Sequence, residues 1–382
     1  MVNTRSKSYG HTIEEQNHAS LAETLTERRV RWSNLLRQQH YQPLISEILE
    51  EELLKYPNST MSNGAERSLL VRECALILAS ASLVFQAAAY GTLVKQILAD
   101  PTLQEDHALI QDRAQSSPSI YLHQLADEHG VAPNPTQYMI IRDLIIDYLS
   151  EGQSSEHAWQ IDNTTPPTVS PVASSLGHRK YLHTTTRSAA RVSTLRRFCA
   201  GIERLFLETP IDLRKTPMRF PPGECGYSKS SHIRLAQHRA HQSSNYVMNL
   251  VEDICTYLHT TKRFKQRFRM HQFIIYLIFR PEQAAIAEIF CSGLLQVWVD
   301  NGGGFNAYPA GRSVATAKRV SSHEWEMHER WVRQMSPIEE NMRAQKARAD
   351  EWVKALEWEG EKEKMEEAIE EEDVSRLTYD CG

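Results

Sequence analysis

The stretch His271-Gln272-Phe273-Ile274-Ile275-Tyr276-Leu277-Ile278-Phe279 is a continuous apolar run of strand length. Aromatic and β-branched residues dominate it, which predicts a buried central strand. Pro281 follows and begins a predicted helix that reaches Trp298. Within this helix Glu288 is surrounded by alanine, isoleucine and phenylalanine, a costly setting for a carboxylate that is neither paired nor bound to a metal. Glu288 is therefore interpreted either as a metal ligand or as a residue that caps or pairs with an arginine inside the core.

The segments on either side of this strand and helix also carry signals. Residues 219–225 include two consecutive prolines and predict at most an edge strand. From Ser231 onward the apolar spacing predicts one or two helices that reach Leu258. Arg234 and His238 are four residues apart, so they share one helix face. Downstream, residues 301–311 form a glycine-rich loop, which is most simply a flexible turn.

The first 150 residues predict only helices. The predicted segments are a capped helix that begins near residue 20, a short helix over 44–55, a long apolar helix over 65–98, and two helices over 119–128 and 136–150. Residues 151–178 are rich in serine, threonine and proline, which predicts a linker. The predicted fold class is α+β, with a disordered N-terminus (1–18), an all-helical bundle (19–152), a flexible linker (153–178), a small α/β domain with a short antiparallel sheet (179–320) and a charged tail containing a long acidic helix (321–382).

The composition excludes several classes of protein. The chain has 382 residues, is 41% hydrophobic and has a net charge of −5, which is typical of a globular protein with more than one domain. Its six cysteines are scattered without a CxxC pair, which argues against a cysteine zinc site and a disulfide framework. The polar N-terminus lacks the apolar core of a signal peptide. Residues 74–94 carry no charge, but a buried helix is favoured over a membrane span, so we expect an intracellular protein, nuclear or cytoplasmic, with no membrane partner.

Charge is distributed unevenly along the chain. Residues 178–282 contain 19 basic and 7 acidic residues, whereas residues 350–373 contain 12 acidic residues and 3 lysines. A basic cluster combines cations with Phe264 and Phe268, a pattern suited to phosphate contacts and base stacking; its cations are Lys262, Arg263, Lys265, Arg267 and Arg269. With Lys229 and Arg239 they predict a surface for nucleic acid, DNA rather than RNA. The alternative is a solvated loop anchored by two phenylalanines.

The order of these elements resembles the GIY-YIG nuclease superfamily over about residues 195–319. In that family an arginine follows the YIG glycine by eight residues and a histidine commonly lies four further on. Gly226, Arg234 and His238 have this spacing, and Ser228 matches the small hydroxyl residue that is often found two residues after the glycine.

Further positions extend the resemblance. Tyr227 follows the motif glycine, Glu288 corresponds to the metal-binding glutamate on the helix after the third strand, and Asn306 with Gly311 resembles the terminal motif. Both motif tyrosines are replaced: Glu224 lies two residues before Gly226, and the candidate for the first motif, Gly201-Ile202-Glu203, also ends in glutamate.

The resemblance implies a metal-dependent phosphodiesterase. It assigns Mg²⁺ or Mn²⁺ to Glu288, charge stabilisation to Arg234, and general base catalysis to His238 or Glu224. Two other interpretations stay open. One is a catalytically degraded module that still binds DNA, and the other is an interaction protein that docks partners through its N-terminal bundle or C-terminal helix.

Overall fold

A computed structural model describes residues 23–57, 64–150, 155–242, 245–312 and 314–351, together with residues 354 and 358. It is a mixed structure of helices and one small antiparallel sheet, which confirms the α+β class. The helices are α1 (Leu25–Arg37), α2 (Tyr41–Leu53), α3 (Gly64–Ala79), α4 (Leu83–Tyr90), α5 (Leu93–Gln96), α6 (Pro101–Arg113), α7 (Pro135–Tyr148), α8 (Glu156–Asp162), α9 (Pro171–Ser175), α10 (Ala189–Glu208), α11 (Ser231–Arg239), α12 (Tyr246–Thr260), α13 (Gln283–Leu295) and α14 (Ser322–Met335). Residues 338–351 are helical as well.

The sheet has three strands in the order β2-β1-β3, and both pairs are antiparallel. The strands are β1 (Ser119–Ala126), β2 (Gly223–Ser228) and β3 (Arg269–Leu277). The apolar run at 271–279 forms most of β3, as its composition predicts. β2 lies at one edge of the sheet, as the neighbouring prolines indicate.

The central strand is the main departure from the sequence prediction. Residues 119–128 were expected to be helical, but Ser119–Ala126 is β1, and every residue of this strand is buried. Because β1 has a strand on each side, its polar residues find partners inside the protein. The segment therefore lacks the alternation of apolar and polar residues by which a strand is recognised in a sequence.

Two hydrophobic clusters share this sheet. The first joins α1–α4, the sheet and α13. The second joins α7, α8, α10 and α12 with Leu125 of β1 and Met270 of β3. The predicted bundle at 19–152 therefore supplies the central strand of the sheet, and its helix α7 packs with helices of the predicted domain at 179–320.

The predicted linker is also structured in its described part. Within residues 155–178, α8 and α9 form, and Ala158 and Ile161 are buried in the second cluster. Side-chain caps at Ser155 and Ser170 accept backbone hydrogen bonds and begin these two helices. Serine and proline here mark helix N-termini rather than disorder.

The long apolar helix predicted over 65–98 is divided. Helix α3 ends at Ala79, the side chain of Ser82 caps α4, and the two helix axes are bent by 105°. No single helix of the described residues is long and apolar enough to cross a membrane. Taken together, α3 and α4 have the length and apolar composition of a membrane span, but they are bent. The predicted disorder at 1–18 and most of the acidic segment at 350–373 lie outside the described residues.

Candidate functional site

One face of α11 lies against one face of β1. Residues 119, 121 and 123 alternate onto the same side of β1, and residues 231, 234 and 238 share one side of α11. The two sets have similar lengths, about 13 Å along the strand and about 11 Å along the helix. Three polar pairs result: the hydroxyl oxygens of Ser119 and Ser231 are 2.6 Å apart, Tyr121 hydrogen bonds to Arg234, and the rings of His123 and His238 are 4.5 Å apart.

Tyr121 occupies the centre of this face. It pairs with Gly226 across β1 and β2, and a Cβ on Gly226 would be 2.5 Å from the Tyr121 hydroxyl oxygen. The glycine therefore provides the space into which the phenol ring fits. Burial, together with Glu224 and Glu288, raises the pKa of Tyr121, and Arg234 opposes this shift. Tyr121 thus brings a neutral hydroxyl within reach of two carboxylates and a guanidinium.

Glu288 projects from α13 and is half-buried. Its Oε2 accepts a hydrogen bond of 2.9 Å from the backbone N–H of Gly311, and the backbone of Tyr227 supplies another. Burial raises the pKa of Glu288, and these two hydrogen bonds only partly offset the increase. Both of these donors are backbone N–H groups, so Glu288 caps backbone positions in the structure.

His123, Glu224 and His238 form a second, deeper cluster. Their exposed fractions are 0%, 7% and 2%, and one potential ligand atom from each lies within 4.8 Å of the other two. His123 Nδ1 is 2.6 Å from Glu224 Oε2. Burial would raise the pKa of Glu224, but the hydrogen bond from His123 and the nearby His238 lower it, so the carboxylate is ionised at neutral pH.

His238 is not the surface residue that the spacing alone suggests. It is buried against Tyr121 and His123, with ring centroids 5.5 and 4.5 Å away. Burial lowers its pKa to about 4, despite the favourable effect of Glu224. The imidazole is therefore neutral, and at 2% exposure it does not contact solvent as a general base for a bound substrate would.

Asn306 braces the outer edge of β2. Its Nδ2 donates to the carbonyl of Cys225 at 2.8 Å, and its Oδ1 accepts from the N–H of the same residue at 3.1 Å. Residues 302–306 run beside β2, where Phe305 N donates to the carbonyl of Gly223. The glycine-rich loop is therefore an ordered edge rather than a free turn. Gly311 has a positive φ of 77° and directs its N–H to Glu288.

The candidate for the first motif does not lie on a strand. Gly201-Ile202-Glu203 lies inside α10, and Gly201 packs against the backbone of Val299, where a Cβ would be 2.3 Å from the carbonyl oxygen. The residue that sequence reasoning missed is Tyr121. The β-favouring run Ile120-Tyr121-Leu122 after Ser117-Pro118 is the local signal that could have identified it.

The remaining motif residues have local roles. Tyr227 faces the opposite side of β2 from Gly226, and its hydroxyl accepts a hydrogen bond of 3.4 Å from Thr316. Ser228 Oγ accepts from the N–H of Ser230. These residues hold the turn between β2 and α11.

The basic cluster presents its cations outward and its aromatics inward. Phe264 and Phe268 are buried and pack edge to face at 5.8 Å, so they anchor the loop and are not available for base stacking. The five cations, Lys262, Arg263, Lys265, Arg267 and Arg269, are exposed. Beside α11, Lys229 Nζ donates a hydrogen bond to the Arg319 carbonyl, and Arg239 donates one to the side chain of Gln272.

No family model matches this chain, and neither a curated protein nor a solved structure matches it.

Proposed function

We propose that this protein is a divergent GIY-YIG-like, metal-dependent endonuclease that cleaves DNA. The observation that carries the proposal is the position of the Tyr121 hydroxyl, which lies against Gly226 and hydrogen bonds to Arg234. The carboxylates of Glu224 and Glu288 are close enough to raise its pKa. These are a strand tyrosine, a helix arginine and a carboxylate from a third element, gathered on one small antiparallel sheet.

The strand β1 supports the resemblance where the sequence comparison lacked a first motif. Its first three residues are Ser119-Ile120-Tyr121, which differ from Gly-Ile-Tyr in one residue, and they pair with the strand that contains Glu224-Cys225-Gly226. Of the two motif tyrosines, one is thus present and one is replaced by glutamate. Residues 127–222 separate the two strands, which explains why the spacing of the motifs hides the match.

Tyr121, Arg234 and Glu288, which we name the cleft residues, each have a distinct role in phosphodiester hydrolysis. Glu288 is a half-buried oxygen ligand held by two backbone hydrogen bonds, which suits a hard cation such as Mg²⁺ or Mn²⁺. When bound, that ion supplies Lewis acid stabilisation. Arg234 stabilises the negative charge that develops on the phosphate. We assign orientation of the attacking water to the neutral Tyr121 hydroxyl, because it interacts with both Arg234 and Glu288, the residues that would hold the phosphate and the metal.

The exposed cations suit a duplex that extends beyond the cleft. Arg269 begins β3 and lies five residues from Ile274, the β3 partner of Tyr121, which corresponds to about 17 Å along the strand. With Lys229 and Arg239 nearer the cleft, the cations are spread over a distance comparable to several base pairs. Binding through these phosphate contacts should weaken steeply as salt rises.

Cleavage of plasmid and branched DNA by the full chain in Mg²⁺ or Mn²⁺ tests the proposal. The full chain is required because a fragment that begins after residue 126 lacks the central strand. We expect Tyr121→Phe, Arg234→Ala and Glu288→Gln each to lose at least about 100-fold in rate. Tyr276→Phe is the matched control, since its hydroxyl contacts Ser80 and Gln283 rather than Arg234 or Glu288, and it should retain activity.

Three results would contradict the proposal. Equal cleavage by wild type and all three cleft variants would place the chemistry elsewhere. Tight, salt-dependent DNA binding without cleavage in either metal would support the degraded binding module, and absence of both binding and cleavage would favour the protein-interaction hypothesis.

A further inference from the structure

Three buried ring nitrogens beneath Tyr121 lack partners within the protein. In the described part of the chain, His123 Nε2 and both ring nitrogens of His238 make no hydrogen bond. A buried polar atom without a partner costs about 1–3 kcal/mol. Three of them on two adjacent rings would be an expensive arrangement, unless another group satisfies them.

The three side chains already converge on one point. His123 Nδ1 is 2.6 Å from Glu224 Oε2, and the ring of His238, with two nitrogens that lack a partner, lies 4.5 Å from the ring of His123. An ion bound at this point would replace the contact between His123 Nδ1 and Glu224 Oε2, because a ligating imidazole nitrogen offers its lone pair and carries no proton.

We propose that His123, Glu224 and His238 bind a transition-metal ion of the zinc class. The site would join α11 to the two strands β1 and β2, because each element contributes one residue. It is separate from the Glu288 position, where the donors are oxygen and suit a hard cation. This inference does not depend on the proposed nuclease activity.

The donor chemistry favours zinc over magnesium or calcium. Two imidazoles and a carboxylate form a common zinc set, with Zn–N distances of about 2.0–2.1 Å, whereas Mg²⁺ and Ca²⁺ prefer oxygen ligands. The potential ligand atoms lie within 4.8 Å of one another, so a modest inward movement of the side chains would close the site. A water molecule would complete four ligands.

The charged groups around the site have opposing effects on the binding of a cation. Arg234 lies close enough to disfavour a positive charge on His238, and it would likewise oppose a bound cation. The carboxylates of Glu224, Glu252 and Glu288 oppose that effect, since Glu252 interacts with His123 and Glu288 with Glu224. Three nearby carboxylates against one guanidinium leave the surroundings favourable to a divalent cation.

Titration of the metal-depleted full chain with Co²⁺ tests the site, because ligand-field absorption reports nitrogen and oxygen coordination directly. We expect one Co²⁺ per chain, displaced by an equivalent of Zn²⁺. Glu224→Gln and His238→Gln should weaken this binding at least 100-fold. His271→Gln is the matched control: it is a largely buried histidine on β3 whose Nε2 contacts the Asp127 carbonyl, and it should bind as wild type does.

Thermal unfolding provides a second measurement, because the shift caused by zinc is compared with each variant's own unfolding temperature in the absence of metal. Bound zinc should raise the unfolding temperature of wild type and of His271→Gln in proportion to the logarithm of zinc concentration, but not that of His238→Gln. Glu288→Gln should abolish DNA cleavage while it leaves the cobalt spectrum intact, which separates this site from the proposed nuclease. Less than one ion bound per wild-type chain, or equal binding by His238→Gln, would overturn the proposal.

Discussion

Replacement of Gly226 by alanine should destabilise the protein by forcing Tyr121 out of its position. A Cβ at residue 226 would lie 2.5 Å from the Tyr121 hydroxyl oxygen and 2.7 Å from Cζ. Ordinary contacts between such atoms are about 3.5–4.0 Å, so the ring must move by about 1 Å. Tyr121 is 3% exposed and in ring contact with His123 and His238, and it has little room to do so.

The magnitude follows from two opposing effects. Overpacking of a filled core costs about 1–3 kcal/mol. Gly226 is in a strand without positive φ, so alanine should regain about 0.4–1 kcal/mol by restricting the unfolded chain. The midpoints of the two ranges, about 2 and about 0.7 kcal/mol, give an expected net loss in the free energy of unfolding of about 1.3 kcal/mol. DNA cleavage should decrease as well, since the hydroxyl moves away from Arg234.

A double-mutant cycle measured by denaturant unfolding isolates the contact between residues 226 and 121. Combined with Tyr121→Leu, the Gly226→Ala change should lose most of its cost, and the two substitutions should couple by about 1–2 kcal/mol. Gly64→Ala is the control, since a Cβ there meets no atom within 4 Å, and its effect should stay within about 0.5 kcal/mol. A Gly226→Ala variant as stable as wild type, or one that does not couple to residue 121, would refute the reasoning.

Two further predictions concern the edge of the sheet and the response to pH. Asn306→Ala should lower the free energy of unfolding by about 1–3 kcal/mol because it leaves both backbone groups of the buried Cys225 unpaired. Asn306→Asp keeps the acceptor but places a carboxylate oxygen against the Cys225 carbonyl, so it should also be less stable than wild type. An aspartate variant equal to wild type in denaturant unfolding would contradict this. Burial, together with Arg113, lowers the pKa of His328 to about 4 in the folded protein, whereas its value in the unfolded chain is about 6.5. The contribution of the neutral His328 to the free energy of unfolding is therefore complete above about pH 6.5 and is lost as the pH falls toward about 4. His328→Asn should reduce the difference in unfolding free energy between about pH 7 and about pH 5, whereas an unchanged difference would exclude His328 as a contributor.

The elements that sequence patterns predict well are those whose signal is local. The apolar run of β3 and the helix that contains Glu288 are recognisable from consecutive residues alone. Arg234 and His238 also belong together, because four residues on a helix place them on one face. The sequence pattern does not show how deeply a side chain is buried. It does not reveal that His238 is 2% exposed, since its burial depends on β1, which lies more than 100 residues earlier in the chain.

A single misassignment, helix instead of strand at residues 119–126, accounts for most of what the sequence prediction missed. As a helix this segment offers no reason to compare Tyr121 with His123, because residues two apart on a helix face different directions. As a strand it places both side chains on one face, opposite Gly226 and Glu224. Those partners come from a strand separated by residues 127–222, so no spacing rule within one element can connect them. The central strand, the tyrosine of the cleft and one of the two histidines of the buried cluster therefore follow together once cross-strand pairing is known.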